Sequence, residues 1–226
     1  MYDNYRKIKL FITQFEELII QWPYSNILKE FFDMETDNLE WNLVEAEHLV
    51  DDEWIDFRKC SYRLPDNTIS GPYYNYSRKN YVVVVATDES GNYICVKQYR
   101  HGIGEVTTEF PAGGIEAVSI DSANNIGNRN ASLEEDALEA ARRELQEETG
   151  YISDEWEHLI TVPSNATMAD NYAHIYRARN CRLVSDQHLD DNEFVSVRTV
   201  SGAELESLIH TGHFQQAMHI MAYYYR

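Results

Sequence analysis

Apolar residues first recur at helical spacing near the start of the chain. Between residues 5 and 34 they fall three or four positions apart, and Pro23 interrupts the series. The pattern predicts two helices with a break at Trp22–Pro23. Such helices could form an appendage that packs on the main domain, or a segment that docks a partner or covers a site.

From Trp41 onward the apolar residues stand in short runs bounded by turn residues, which is typical of strands. Residues 81–86, a tyrosine followed by four valines and an alanine, predict a fully buried strand. Residues 93–99 predict its partner across the turn at Ser90-Gly91-Asn92. Further strands are predicted at about 157–162, 172–178 and 193–198.

Helical patterns return in the second half of the chain. One helix is predicted from about Glu134 to Thr149, because Gly150 suits the left-handed position that ends a helix. Another begins near Ser201, and Gly212 divides it from a last helix at about 214–224.

Residues 117–132 are rich in Asn, Ser and Asp and lack periodicity, which predicts a long surface loop. Strands and helices follow one another in a mixed order along the rest of the chain. This order predicts an α+β fold, an α/β/α sandwich, rather than a doubly wound nucleotide-binding fold.

The composition is acidic, with 38 Asp and Glu against 19 Lys and Arg among 226 residues and a formal net charge of −19. Such a surface repels polyphosphate backbones, which argues against nucleic acid as a partner. A small phosphorylated substrate can still bind if a divalent cation mediates the contact.

Three cysteines, Cys60, Cys95 and Cys181, stand without a C-x-x-C pair, so neither a disulfide framework nor a zinc site is predicted. The chain shows no basic region followed by an apolar run, and no apolar stretch of about 20 residues. The sequence therefore predicts a cytoplasmic protein with no membrane partner.

The segment Glu135-x7-Arg143-Glu144-Leu145-Gln146-Glu147-Glu148-Thr149-Gly150-Tyr151 has the clearest chemical content. Positions i, i+3 and i+4 of a helix share one face, so Glu144, Glu147 and Glu148 project together. Three close carboxylates repel one another, and a bound cation would offset that repulsion. Hard oxygen ligands of this kind suit Mg²⁺ or Mn²⁺. The alternative is a solvated acidic helix face.

This segment resembles the Nudix signature, G-x5-E-x7-R-E-U-x-E-E-x-G-U, where U is a bulky apolar residue. Seven positions match, and Tyr151 fills the last U position: Glu135, Arg143, Glu144, Leu145, Glu147, Glu148 and Gly150. Arg129 stands where the first glycine would be. Gly113 matches that glycine better, with extra residues inserted before Glu135, so the first loop of the motif is lengthened.

The resemblance implies roles for the matching residues. Glu144 and Glu148 would be the principal ligands of Mg²⁺ or Mn²⁺, and the backbone carbonyl of Ala112 would complete the shell. Glu147 would be a further ligand or would act through water. Arg143 would orient a metal-site carboxylate through a bidentate ion pair.

Segments outside the signature resemble the ADP-ribose and ADP-sugar pyrophosphatase branch: residues 96–100, 109–113, 191–195 and 204–217. In that branch Arg100 would bind a diphosphate oxygen; the alternative is a surface ion pair. The water-activating carboxylate would come from a late loop, where Glu193 is the first candidate and Asp191 and Asp170 are reserves. Glu193 could equally be an ordinary acidic loop residue.

The resemblance implies a Nudix fold with a mixed sheet over residues 41–226, and residues 1–40 form an N-terminal helical extension outside it. The implied reaction is metal-dependent hydrolysis of the diphosphate bond of a nucleoside-diphosphate sugar such as ADP-ribose, giving AMP and a sugar phosphate. Alternatives are another nucleotide (a GDP-sugar, a dinucleoside polyphosphate or an oxidised nucleotide) or a Nudix-fold binding module without turnover. Enzymes of this branch usually pair through N-terminal strands, so a homodimer is expected.

Overall fold

The computed structural model describes residues 38–118, 133–189 and 193–225. The two helices predicted within residues 5–34 lie outside this part of the chain. Residue contacts divide the chain into two compact units, residues 1–43 with 62–70 and residues 44–61 with 71–226.

The described part of the smaller unit includes a tight turn. The backbone N–H of Leu64 donates to the carbonyl of Thr68 at 2.8 Å, and that of Asn67 donates to the carbonyl of Leu64 at 2.9 Å. Asn67 takes a φ of 68°, which asparagine tolerates better than most residues. The ring centroids of Trp41 and Tyr62 lie 6.1 Å apart in the same unit.

The described residues form strands and helices, labelled in chain order. The strands are β1 Asn42–Asp51, β2 Asp56–Arg63, β3 Ile69–Ser77, β4 Tyr81–Asp88, β5 Tyr93–Arg100, β6 Glu105–Glu109, β7 Ala112–Gly114, β8 Ala117–Val118, β9 Leu133–Glu134, β10 Tyr151–Ile152, β11 Glu155–Pro163, β12 Tyr172–Leu183 and β13 Ser196–Val200. The helices are α1 Ala137–Thr149, α2 Gly202–His210 and α3 Ala217–Tyr225.

The main sheet has the strand order β10-β12-β4-β5-β13, with β11 paired to β12, β6 to β5 and β7 to β4. The pairing of β4 with β12 is parallel and the other pairings are antiparallel. This arrangement confirms the predicted mixed sheet. β1, β2 and β3 form a separate three-stranded sheet, and β8 pairs with β9.

Strand β4 lies at the centre of the core, and its residues alternate between two apolar layers. Val82, Val84 and Ala86 pack in the layer that contains buried residues of α1. Val83 and Val85 pack in the layer that contains buried residues of α2 and α3. Because successive side chains of a strand point to opposite faces, an apolar run is needed only where both faces are covered. The predicted α/β/α sandwich is therefore confirmed.

Helix α1 begins later than the sequence predicted. The side chain of Asp136 accepts a hydrogen bond from the backbone N–H of Leu138 at 2.9 Å and caps the helix, which starts at Ala137. Glu134, the predicted start, belongs to β9. The prediction of irregular structure from residue 117 was also wrong at Ala117–Val118, because these residues pair with β9. Residues 119–132 lie outside the described part.

The later elements follow the prediction with small shifts. The strand expected at 193–198 begins only at Ser196, so Glu193 precedes it. The two C-terminal helices are confirmed, and Gly212 lies between them with a φ of 74°. Within the described residues, none of the helices has both the length and the apolar character needed to cross a membrane.

The C-terminal end of α1 is in close contact with the chain that follows β12. Gly150 ends the helix with a φ of 74°. The backbone N–H groups of Val184 and Ser185 donate to its carbonyl at 3.0 and 3.3 Å. A β-carbon at Gly150 would overlap the carbonyl oxygen of Ser185. The helix end therefore requires glycine both for its backbone conformation and for space.

We expect Gly150→Ala to destabilise the protein by more than about 3 kcal/mol, because left-handed strain and steric overlap add. Gly91→Ala is the matched control. Gly91 has a similar φ of 79°, but a β-carbon there would meet nothing within 4 Å, so only the strain of about 1–2 kcal/mol remains. Urea denaturation measures both variants. Equal losses of stability would contradict the close contact at Gly150.

Candidate active site

Strand β7 presents backbone groups to α1. On one side β7 pairs with β4, and bonds of the flanking residues continue the ladder: the N–H of Val84 donates to the carbonyl of Pro111 at 2.9 Å, and the N–H of Ile115 donates to the carbonyl of Asn80 at 2.8 Å. Ala112 lies between these bonding positions, and its N–H donates to Oε2 of Glu148 at 2.9 Å. The N–H and C=O groups of one extended residue point to the same side. The carbonyl of Ala112 therefore also faces the helix, as its predicted ligand role requires.

Glu148 is a carboxylate inside the protein. The residue is only 4% exposed. Burial raises the pKa of Glu148 to about 8, the bond from Ala112 opposes that rise, and the charges of Glu144 and Glu193 add to it. Desolvation of the charged form is the main cause. A positively charged group next to this carboxylate would therefore stabilise its ionised form.

Arg143 gathers the acidic residues of the motif. Its Nη1 donates to Oε1 of Glu144 at 2.8 Å and to Oε2 of Glu147 at 3.0 Å. Its Nη2 donates to the carbonyl of Gly114 at 3.0 Å and to Oε2 of Glu135 at 3.1 Å. Burial alone would lower the pKa of Arg143, but the surrounding carboxylates raise it. Arg143 thus ties α1 to β7 and sets the direction of two candidate ligands.

Glu144 lies between Arg143 and β7. Burial raises the pKa of Glu144 to about 7, although the charge of Arg143 opposes the rise. A β-carbon at Gly113 would overlap the carboxyl group of Glu144. The absence of a side chain at Gly113 therefore leaves the space that this carboxylate occupies.

The carboxylates fit a divalent cation in chemistry, although they do not surround one in this conformation. Within residues 38–118, 133–189 and 193–225, no three His, Cys, Asp or Glu side chains converge enough to hold a metal ion. Glu144 and Glu147 accept hydrogen bonds from Arg143 here, and Glu148 accepts one from the N–H of Ala112. Carboxylate and carbonyl oxygens are nevertheless the donors that Mg²⁺ and Mn²⁺ take.

Arg100 forms an ion pair with Glu109, whose side chain is fully buried. Nε of Arg100 donates to Oε1 and Oε2 of Glu109 at 2.9 and 3.1 Å, and Nη2 also donates to Oε2. Burial would lower the pKa of Arg100, but Glu109 raises it overall. The pair does not use Nη1. Arg100 is thus held by a buried partner across the β5–β6 hairpin, and it keeps a terminal nitrogen outside the pair.

The three candidates for the catalytic base differ in their surroundings. After burial and closer partners, the charge of Glu193 contributes to the raised pKa values of Glu144, Glu148 and Arg100, so its carboxylate is within electrostatic range of this group. Asp170 instead pairs with Arg58 at 3.1 Å and accepts a hydrogen bond from the hydroxyl of Ser77. Asp191 lies outside the described residues.

Two residues of this region had no role assigned from the sequence. Glu109 stands inside the 109–113 segment, and its place in that segment was the available signal. His219 is 3% exposed, and its Nδ1 accepts a hydrogen bond from the N–H of Phe110 at 3.1 Å. Burial lowers the pKa of His219 to about 3, so the ring is neutral. His219 thereby fixes the backbone between Glu109 and β7, and no local sequence pattern indicates this contact.

A cavity of about 660 Å³ lies beside α1. Its walls include three residues of the motif, Glu135, Arg143 and Glu147, together with Glu139, Arg142, Trp156 and His188. Glu144, Glu148 and Arg100 are not among its lining residues. The candidate site at the α1–β7 contact therefore meets this cavity at Glu135, Arg143 and Glu147, while the carboxylates of Glu144 and Glu148 lie outside its lining.

Known proteins with related sequences include two ADP-ribose pyrophosphatases. The chain is 29% identical over 121 residues to that of Bacillus subtilis, covering 53% of this chain and 57% of that protein. It is 32% identical over 103 residues to that of Mycobacterium tuberculosis, covering 46% of this chain and 42% of that protein. It is also 31% identical over 117 residues to the methanol dehydrogenase activator of Bacillus methanolicus, covering 51% and 55%. The chain spans about half the length of the curated relatives it matches.

The fold has a counterpart among solved structures. The crystal structure of an ADP compounds hydrolase superposes with a TM-score of 0.64, covering 84% of this chain and 94% of that one. The two sequences are 16% identical, so the likeness concerns the fold.

A family model described as the NUDIX domain matches residues 77–221. The match covers more than half of the chain and includes Arg143, Glu144 and Glu148. It confirms the resemblance carried by the signature, and the chain belongs to the Nudix family.

Proposed function

We propose that this protein is a Nudix pyrophosphohydrolase. Its reaction is hydrolysis of the diphosphate bond of a nucleoside-diphosphate sugar, ADP-ribose or a similar compound, to AMP and a sugar phosphate. The observation that carries the proposal is the buried carboxylate of Glu148. It accepts a hydrogen bond from the N–H of Ala112, and the charge of Glu144 adds to its raised pKa. The names of two related ADP-ribose pyrophosphatases support the substrate class.

The cofactor of this proposal is Mg²⁺, with Mn²⁺ as the alternative. Glu144, Glu147, Glu148 and the carbonyl of Ala112 would hold it. A bound divalent cation supplies charge neutralisation at the diphosphate and lowers the pKa of a bound water. Arg143 keeps Glu144 and Glu147 directed towards β7.

Two further residues act on the substrate in this proposal. Arg100, oriented by Glu109, offers Nη1 to a diphosphate oxygen. Glu193 accepts a proton from the attacking water as general base. Its position near Glu144 and Glu148 supports that role, because the base must reach water beside the metal ligands.

The organisation of the whole protein also belongs to the proposal. Residues 41–226 would form the catalytic domain, with residues 1–40 as an N-terminal extension, in a cytoplasmic homodimer that binds neither nucleic acid nor membranes. Exposed apolar side chains on β1 and β3, namely Val44, Leu49, Val50 and Tyr74, support pairing of two copies.

Release of AMP from ADP-ribose, measured beside a GDP-sugar, a dinucleoside polyphosphate and an oxidised nucleotide, tests the reaction and the substrate together. We expect turnover with Mg²⁺ and none with EDTA.

Glu148→Gln should remove most turnover, because a ligand charge is lost. The stability of Glu148→Gln in EDTA at pH 7 should not fall. The pKa of Glu148 is raised to about 8 in the folded state, so at pH 7 the carboxyl must take up a proton on folding, which costs stability that glutamine does not lose.

Glu139→Gln is the matched control for Glu148→Gln. The exposed side chain of Glu139 pairs with Arg142 on the same helix at 2.6 Å, an interaction of small energetic value. The Glu139→Gln variant should therefore keep wild-type activity. Full activity of Glu148→Gln at saturating Mg²⁺ would rule out the metal site, and turnover of a different nucleotide alone would rule out the substrate.

The glycines of β7 allow a sharper test of the geometry. Gly113→Ala should lower kcat at least about tenfold, because its β-carbon forces the Glu144 carboxylate to move. Gly114→Ala should leave kcat within about twofold, because its β-carbon would meet only the side chain of Lys79 at 3.7 Å. Steady-state kinetics in Mg²⁺ compares the pair. If both variants behave alike, the space beside Glu144 has no catalytic role.

Glu193→Gln should lower kcat by roughly 10²–10⁴-fold with little change in KM, the usual effect of removing a general base. Asp170→Asn should keep kcat, since Asp170 is paired with Arg58. Asp191→Asn completes the series. Loss of kcat in the Asp191 or Asp170 variant, with Glu193→Gln unaffected, would move the base elsewhere.

A further inference from the structure

The segment that follows β12 supplies hydrogen-bond donors to the last turn of α1. The backbone N–H of His188 donates to the carbonyl of Glu147 at 2.9 Å. The side-chain Nε2 of Gln187 donates to the carbonyl of Glu148 at 2.6 Å. The last carbonyls of a helix have no partner within the helix, so these bonds satisfy groups that folding would otherwise leave unpaired.

The amide of Gln187 also reaches the loop that carries Glu193. Its Nε2 donates to the carbonyl of Val195 at 3.3 Å as well. Both partners are carbonyl acceptors, so only the amide nitrogen, and not the amide oxygen, can face them. One NH₂ group therefore connects the backbone of Glu148 with that of Val195, which lies two positions after Glu193.

Residues 193–195 include the candidate base Glu193 and the carbonyl that Gln187 bonds. They precede β13 and belong to no regular element. Phe194 is 86% exposed, so apolar packing of its ring does not hold the segment. The bond to Val195 is thus a direct link between this segment and the end of α1.

We propose that Gln187 is a positioning residue, which sets the distance between Glu193 and the carboxylates of α1 by bonding the carbonyls of Val195 and Glu148. The inference rests on the proposed function, specifically on Glu193 as the base. Small errors in the position of a reacting group reduce turnover strongly and leave substrate binding less affected.

Gln187→Met tests the link, because methionine has a similar length and no donor. We expect kcat to fall about 10- to 100-fold, with KM and the Mg²⁺ concentration for half-maximal activity within about twofold of wild type. Gln146→Met is the matched control: Gln146 lies on α1 with an exposed side chain, so the same replacement should leave kcat unchanged. Wild-type kcat in Gln187→Met would overturn the inference and leave the proposed function standing.

A double-mutant cycle separates a role through Glu193 from a general loss of stability. In the Glu193→Gln background, adding Gln187→Met should change kcat by less than about twofold, because the group it positions is already gone. The same fold-loss in both backgrounds would show a merely structural role. Wild-type kcat in Glu193→Gln itself would refute the base, and the positioning role with it.

Hydrogen exchange followed by mass spectrometry gives a readout that does not need activity. Gln187→Met should speed exchange of the backbone amides in residues 193–196, whereas Gln146→Met should not. Unchanged exchange in Gln187→Met would overturn the inference even if the substrate class proposed above were wrong.

Discussion

The ion-pair cluster around Arg143 is the interaction on which the candidate site depends. One guanidinium bonds Glu135, Glu144, Glu147 and the carbonyl of Gly114. Without it, three acidic side chains would repel one another at the contact between α1 and β7. The cluster therefore stabilises a site whose useful charges oppose folding, and it directs the carboxylates before any ligand is present.

The second requirement is a close approach of α1 to the backbone around it. Glycine allows that approach in two places, at Gly113 beside Glu144 and at Gly150 beside Ser185. Burial follows from the approach, and burial is what raises the pKa values of Glu144 and Glu148. Packing thus creates the electrostatic property that makes these carboxylates candidates for metal binding, since a cation offsets the cost of their ionisation.

The central sheet connects these local features. Because β4 is covered by α1 on one face and by α2 and α3 on the other, the strand holds both the acidic helix and the C-terminal helices. Through His219, α3 also fixes the backbone at Phe110, which leads from Glu109 into β7. Glu109, which pairs with Arg100, and Ala112, whose N–H bonds Glu148, therefore belong to one short segment.

The sequence by itself determined the fold class and the identity of the acidic helix. An apolar run at residues 81–86 requires two covered faces, and glutamates spaced by three and four require a shared helix face; both follow from local backbone geometry. Local pattern did not place the start of α1 at Ala137. In the structure Asp136 caps the helix, so the helix begins three residues after the predicted Glu134. Local pattern also did not predict the contacts between residues that are separated along the chain: Arg100 with Glu109, Gly113 with Glu144, Phe110 with His219 and Gln187 with Val195. The tertiary structure alone decided these, because each depends on how strands and helices far apart along the chain are packed against one another.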